Sequence, residues 1–147
     1  MDPLLTDVRL YIYGQMIATS AAPGVPETAA ALGRAVEDVE RAYRTLAEQK
    51  ALVLRPGTTM VWMVMPFSNM QTMFNVICEG RAYYANCAWD AFGIPVVLER
   101  DANIFTTCAD CGGVLQRKVA CGRLTDSRGV VHFALPVRRW WEDVGFT

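Results

Sequence analysis

Cys87 and Asp90 stand three residues apart in the stretch Asn86-Cys87-Ala88-Trp89-Asp90-Ala91-Phe92-Gly93. On a helix that spacing places both side chains on one face. A thiol beside a carboxyl group can bind a soft metal and can move a proton. The plainer reading is a buried small hydrophobe and an acid that complements the helix dipole. A second cluster is Cys108-Ala109-Asp110-Cys111-Gly112-Gly113. Its glycines let backbone N–H groups turn toward a metal-bound sulfur. Two thiols supply half of the four ligands that a structural zinc takes. The candidate metal ligands are therefore Cys87, Cys108, Cys111 and Cys121, with zinc at Cys108/Cys111 weighed against a plain reduced turn. A thioredoxin-type redox site needs a helix start after the motif, which Gly112-Gly113 before a strand does not provide. Cys78 lies in a strand and reads as core. His132 is the single histidine. It cannot build a histidine-rich metal site and reads as a position on a strand face.

The elements that position these residues follow from periodicity and turn chemistry. Leu4, Leu5, Val8, Leu10, Tyr11, Tyr13, Met16 and Ile17 recur at three- and four-residue spacings, predicting a helix over about 3–18. Glu27 to Leu32 predicts a short helix ended by Gly33. Val36, Val39, Ala42, Tyr43 and Leu46 line one side of a helix over 36–49. Residues 51–54, 55–58 and 60–65 read as strand, turn, strand. Pro66-Phe67-Ser68-Asn69 breaks the pattern and marks a junction. Beyond it, Phe74–Cys78 and Ala82–Ala85 form a hairpin about Glu79-Gly80. The Cys87/Asp90 segment is a short helix stopped by Gly93 and Pro95. Strands are expected near 94–98, 102–107, 113–121 and 130–135, then a helical turn at 138–143. The expected fold is α+β. A winged-helix-like domain of three helices plus a hairpin occupies 1–66. A mixed or antiparallel β-sheet domain over 67–147 has a short central helix carrying Cys87 and Asp90.

Bulk properties narrow the function. The chain has 147 residues, 52% hydrophobic, with formal charge −1, which argues against a general polyanion binder. The helix at 36–49 and its flanks mix Arg34, Arg41, Arg44 and Lys50 with Glu37, Asp38, Glu40 and Glu48. A groove-reading helix needs a basic excess, so nucleic acid is not the expected partner. No apolar run approaches the ~18 residues of a membrane span, and the N-terminus lacks the basic region of a signal peptide. Five cysteines fit a disulfide framework poorly. Reduced thiols and a cytoplasmic location are expected.

Taken in order, these parts resemble the alkylmercury (organomercurial) lyase family. The residues that carry the resemblance are Tyr83-Tyr84-Ala85-Asn86-Cys87-Ala88-Trp89-Asp90-Ala91-Phe92 and Pro95, with Cys108 and Phe133-Ala134-Leu135-Pro136 as weaker matches. The likeness spans most of the chain loosely and is specific from Cys87 to Pro95. It implies cleavage of a carbon–mercury or related carbon–heteroatom bond, with Cys87 as metal-binding thiol and Asp90 as proton carrier. No cofactor is implied, and external thiols are natural partners. Tyr83, Tyr84, Trp89 and Phe92 would wall an apolar pocket. The family's second catalytic cysteine follows a segment like Arg138 to Phe146, about where this sequence ends. Cys108 or Cys121 would otherwise supply it, and no spacing selects between them. The alternatives are a thiol-based zinc or mercury binder or sensor without turnover, and a winged-helix transcriptional regulator.

Overall fold

The computed structural model describes residues 2–126 and 128–145. Three helices come first: α1 (Pro3–Thr19), α2 (Val25–Leu32) and α3 (Val36–Glu48). Asp2 caps α1 by accepting the Leu4 N–H at 2.9 Å, with Pro3 in the first turn. Gly33 ends α2 at φ 61°, the left-handed conformation glycine adopts most cheaply. Val39, Ala42, Tyr43 and Leu46 are the buried stripe of α3. Its arginines are held by carboxylates of its own first turns, Arg41 by Asp38 and Arg44 by Glu40.

Tyr43 ties α3 to α2 and to the loop that precedes it. Its hydroxyl donates to the Pro23 carbonyl at 3.0 Å and lies 2.8 Å from the Thr28 hydroxyl. The Tyr43 proton is committed to a pure acceptor, so Thr28 must be the donor between the two hydroxyls. Both residues are fully buried. Tyr43→Phe leaves the Thr28 proton and the Pro23 carbonyl without their partner in a dry core. It is expected to lower unfolding stability by about 1–3 kcal/mol, read by urea denaturation; an unchanged midpoint would contradict this account.

The strands are β1 (Val53–Leu54), β2 (Val61–Val64), β3 (Phe67–Ser68), β4 (Phe74–Cys78), β5 (Arg81–Ala85), β6 (Ala102–Thr107), β7 (Val114–Ala120) and β8 (Arg123–Leu124). They form one sheet in the order β1-β2-β3-β5-β4-β6-β7-β8, with every pairing antiparallel. The fold is α+β. The 66/67 position, expected as a junction, falls between two paired strands at a cis Met65–Pro66 peptide. Phe67 and Ser68 form a short strand that joins the early hairpin to β5. Tyr13 donates to the Met65 carbonyl and Tyr83 to the Ile17 carbonyl, tying α1 to the sheet. A single buried cluster runs from Val8 to Val119.

Two expected strands do not form. Residues 94–98 instead continue helix α4 (Ala88–Leu98), which passes through Pro95. The sheet explains this. β5 already has β3 and β4 as neighbours, and β4 has β5 and β6. No edge is free between β5 and β6, so the connection must cross the sheet face. A helix satisfies its own backbone on that path and buries Ala91, Ile94 and Pro95. That burial outweighs the missing Pro95 N–H. Gly93 belongs to the same packing: a Cβ there would lie 3.3 Å from the Pro66 Cβ. Residues 130–135 are irregular, and the short strand β8 is instead the one that pairs with the end of β7, at Val119 and Ala120. Val130 is 95% exposed. Phe133 packs on Trp140, whose indole N–H donates to the Leu135 carbonyl. The expected final turn is a 3-10 helix at Val137–Arg139.

Candidate active site

Chain direction through β5 sets the site. Ala85 ends the strand, Asn86 and Cys87 lead out of it, and Cys87 is the N-cap of α4 with extended backbone angles. Asp90 falls in the first helical turn. The helical spacing read from the sequence is therefore realised at a helix start. The Cys87 Sγ–H donates to Asp90 Oδ2 at 3.8 Å, and both residues are half-buried. Asn86 Nδ2 donates to the same Oδ2 at 3.1 Å and, at 3.4 Å, to the Phe67 carbonyl on β3. One carboxylate oxygen thus collects an amide and a thiol from neighbouring positions.

Burial dominates the electrostatics. It pushes the Asp90 carboxyl above its ordinary range, and hydrogen bonds from Asn86 and Cys87 offset part of that rise. It likewise raises the Cys87 thiol. The Asp90 and Trp89 amides pull the other way, and the Asp90 charge adds to the rise. Both groups therefore hold a proton more tightly than their solvent-exposed counterparts, the direction that favours a thiol-to-carboxyl relay.

Asn86 belongs to the same motif, but no role follows from its neighbours in sequence. The available signal was its spacing of four from Asp90, which brings an amide to a carboxyl at a helix entrance. Its Oδ1 is buried without a hydrogen-bond partner. Because the Asn86 amide favours the ionised carboxylate, Asn86→Ala should raise the Asp90 pKa further above that of the unmodified protein. The acid limb of any activity governed by Asp90 ionisation would move to higher pH. A carbon-detected NMR titration of Asp90 measures the shift directly, and an unmoved titration curve would remove Asn86 from this role.

The remaining candidates are dispersed. Tyr83 is buried against Phe67, with ring centroids 5.4 Å apart, and its hydroxyl is engaged by α1. Tyr84 follows it in β5, so it points to the opposite face of the sheet. Trp89 is 67% exposed on α4, and Phe92 packs against the core. These four rings do not converge on one cavity. Two surface clefts lie elsewhere, one among Glu79, Arg100, Asp101 and Lys118 and the other beside Trp141 and Leu52.

Strand register sorts the cysteines. Ala85 pairs with Phe74, and the next residue of β4, Asn75, pairs with Phe105. Thr106 is therefore level with Ala85, and Cys108 leaves the sheet at the same end as Cys87, two strands or about 10 Å across. Cys121 lies at the other end, about 20 Å along the β6–β7 hairpin, where its N–H donates to Asp101. Cys87, Cys108, Cys111 and Cys121 thus do not form one ligand set. Among the described residues no three His, Cys, Asp or Glu side chains gather as a metal site. The Cys108 thiol is lowered by the amides of Cys111 and Asp110 and by the Cys111 side chain. Cys78 is buried, and burial pushes its thiol up to about 11. His132 is exposed in the irregular 130–135 segment.

The fold and site together define a class: a helical N-terminal part, an antiparallel sheet, and a thiol–carboxyl pair where a crossing helix begins. Comparison with known proteins narrows it. Residues 67–147, more than half of the chain, match the family MerB: Alkylmercury lyase. The chain belongs to the alkylmercury lyase family. Its fold is similar to that of MerB2 in a mercury-bound crystal structure, with TM-score 0.66 and 19% identity. That similarity covers 86% of this chain and 60% of the MerB2 chain, so the sequence spans three-fifths of its relative's length. Among curated proteins none matches. No helix among the described residues is long and apolar enough to cross a membrane.

Proposed function

We propose that the protein cleaves a carbon–mercury bond by protonolysis, with Cys87 as the mercury ligand and Asp90 as the proton carrier. The observation that carries this reading is the 3.8 Å hydrogen bond from Cys87 Sγ to Asp90 Oδ2 in a half-buried position. Family membership supplies the substrate class. A small external thiol supplies the second sulfur, so the substrate is the alkylmercury thiolate R–Hg–SR′.

The steps balance. Mercury meets the Cys87 sulfur, and coordination to so soft and strong a Lewis acid makes the thiol acidic. The thiol proton passes to Asp90 along the existing hydrogen bond. Burial favours its retention there until it is delivered to the carbon bound to mercury. The carbon–mercury bond breaks as the carbon–hydrogen bond forms. R–Hg–SR′ plus the Cys87 thiol gives R–H plus mercury held between Cys87 sulfur and SR′. The cycle continues when further external thiol displaces Cys87. Such chemistry needs Cys87 reduced, which suits a thiol-rich cytoplasm.

The test is to incubate the protein with methylmercury and excess cysteine in deuterated water. Singly deuterated methane above the thiol-only background is expected, because the delivered proton is exchangeable. Absence of methane would sink the proposal.

A further inference from the structure

The Cys108–Cys111 turn lies outside the Cys87/Asp90 pair and has no part in the chemistry above. It closes the β6–β7 hairpin. The Cys108 N–H donates to the Gly113 carbonyl at 2.8 Å, and the Gly112 N–H returns to the Cys108 carbonyl at 2.9 Å. Gly112 takes φ +69°, and a Cβ at Gly113 would sit 3.4 Å from the Cys111 sulfur. Glycines thus give the second sulfur room and fold the turn tightly. Both thiols are therefore carried, three residues apart, on one turn whose backbone is already ordered by its own hydrogen bonds. Cys108 is half-buried and Cys111 exposed. No third His, Cys, Asp or Glu joins them among the described residues, Asp110 included.

Two sulfurs alone leave zinc short of its four ligands. They match the needs of a soft ion that is satisfied by two thiolates. We propose that Cys108 and Cys111 form a two-thiolate site for a soft, two-coordinate metal ion. The binding step is M²⁺ plus two thiols giving the dithiolate complex and two protons. Ionic mercury is the ion that the neighbouring Cys87 would deliver, an identity that rests on the carbon–mercury reading; the two-sulfur binding does not. Exposure of Cys111 leaves the bound ion open to exchange with thiols in solution.

The experiment uses the full chain carrying Cys87→Ser, reduced, desalted under nitrogen and loaded with one equivalent of mercuric chloride. Glutathione is then titrated in, and mercury retained by the protein is measured after gel filtration. A second thiol on the same turn acts at an effective concentration of about 1 mM or more. Adding Cys111→Ser should therefore lower the glutathione concentration that strips half of the mercury by ~10-fold or more. Adding Cys121→Ser instead should leave it unchanged. Equal stripping with and without Cys111, an equal effect of Cys121→Ser, or equal displacement by equimolar zinc would overturn the proposal. Because mercuric chloride is the probe and Cys87 is absent, this outcome is independent of methane release by the unmodified chain.

Discussion

Cys87→Ser is expected to reduce hydrocarbon release from an alkylmercurial to the thiol-only background, a loss on the order of 10³-fold or more. A serine hydroxyl is a hard oxygen donor with little affinity for mercury. It is also far less acidic than a thiol, so no proton reaches Asp90. The fold should survive. Cys87 is an N-cap whose side chain makes no capping hydrogen bond, and serine is a better cap than cysteine. Thermal unfolding of the variant should stay close to that of the unmodified chain. Residual turnover comparable to wild type would show that the reaction runs through another sulfur.

Asp90→Asn should cost about 10²–10⁴-fold in the same assay, the usual contribution of a positioned proton donor. It should also change stability in a pH-dependent way. The folded-state pKa of Asp90 is raised, mainly by burial. A raised pKa means that the protonated form is favoured on folding. The associated stability is present below the unfolded pKa, about 3.9, and is lost as pH rises through the folded value. At neutral pH the wild type therefore carries a partly buried charge that asparagine does not. Asp90→Asn should unfold at a higher temperature than wild type at pH 7, with the gap closing toward pH 3. A gap of constant size across that range would mean that burial does not strain this carboxylate. Lower activity with higher stability is the pattern expected of a group kept for chemistry.

The helical stripes, Gly33, and the Glu79-Gly80 hairpin were legible because their causes are local: three- and four-residue spacing, and left-handed turn residues. Both turn residues do take positive φ, 49° at Glu79 and 79° at Gly80. The Cys87/Asp90 spacing was legible for the same reason. Local propensity misled where the sheet had the deciding vote. Ile94 to Leu98 is rich in β-branched residues and contains a proline, yet it is helix, because no strand edge was open to it. Trp89, expected from the family resemblance as a pocket wall, stands 67% exposed, because the helix turns its buried side, Ala91, Ile94 and Pro95, toward the sheet.

What the sequence determined by itself is the inventory: which segments coil, where they turn, and that a thiol and an acid lie within one helical turn. What only the tertiary structure decided is who meets whom. Asn86 is attached to Asp90 and to β3, Cys108 is at the end of the sheet where Cys87 lies, and Cys121 is at the other. Strand register and burial depend on contacts between residues far apart along the chain. Spacing along the chain carries no information about those contacts until the strands have paired.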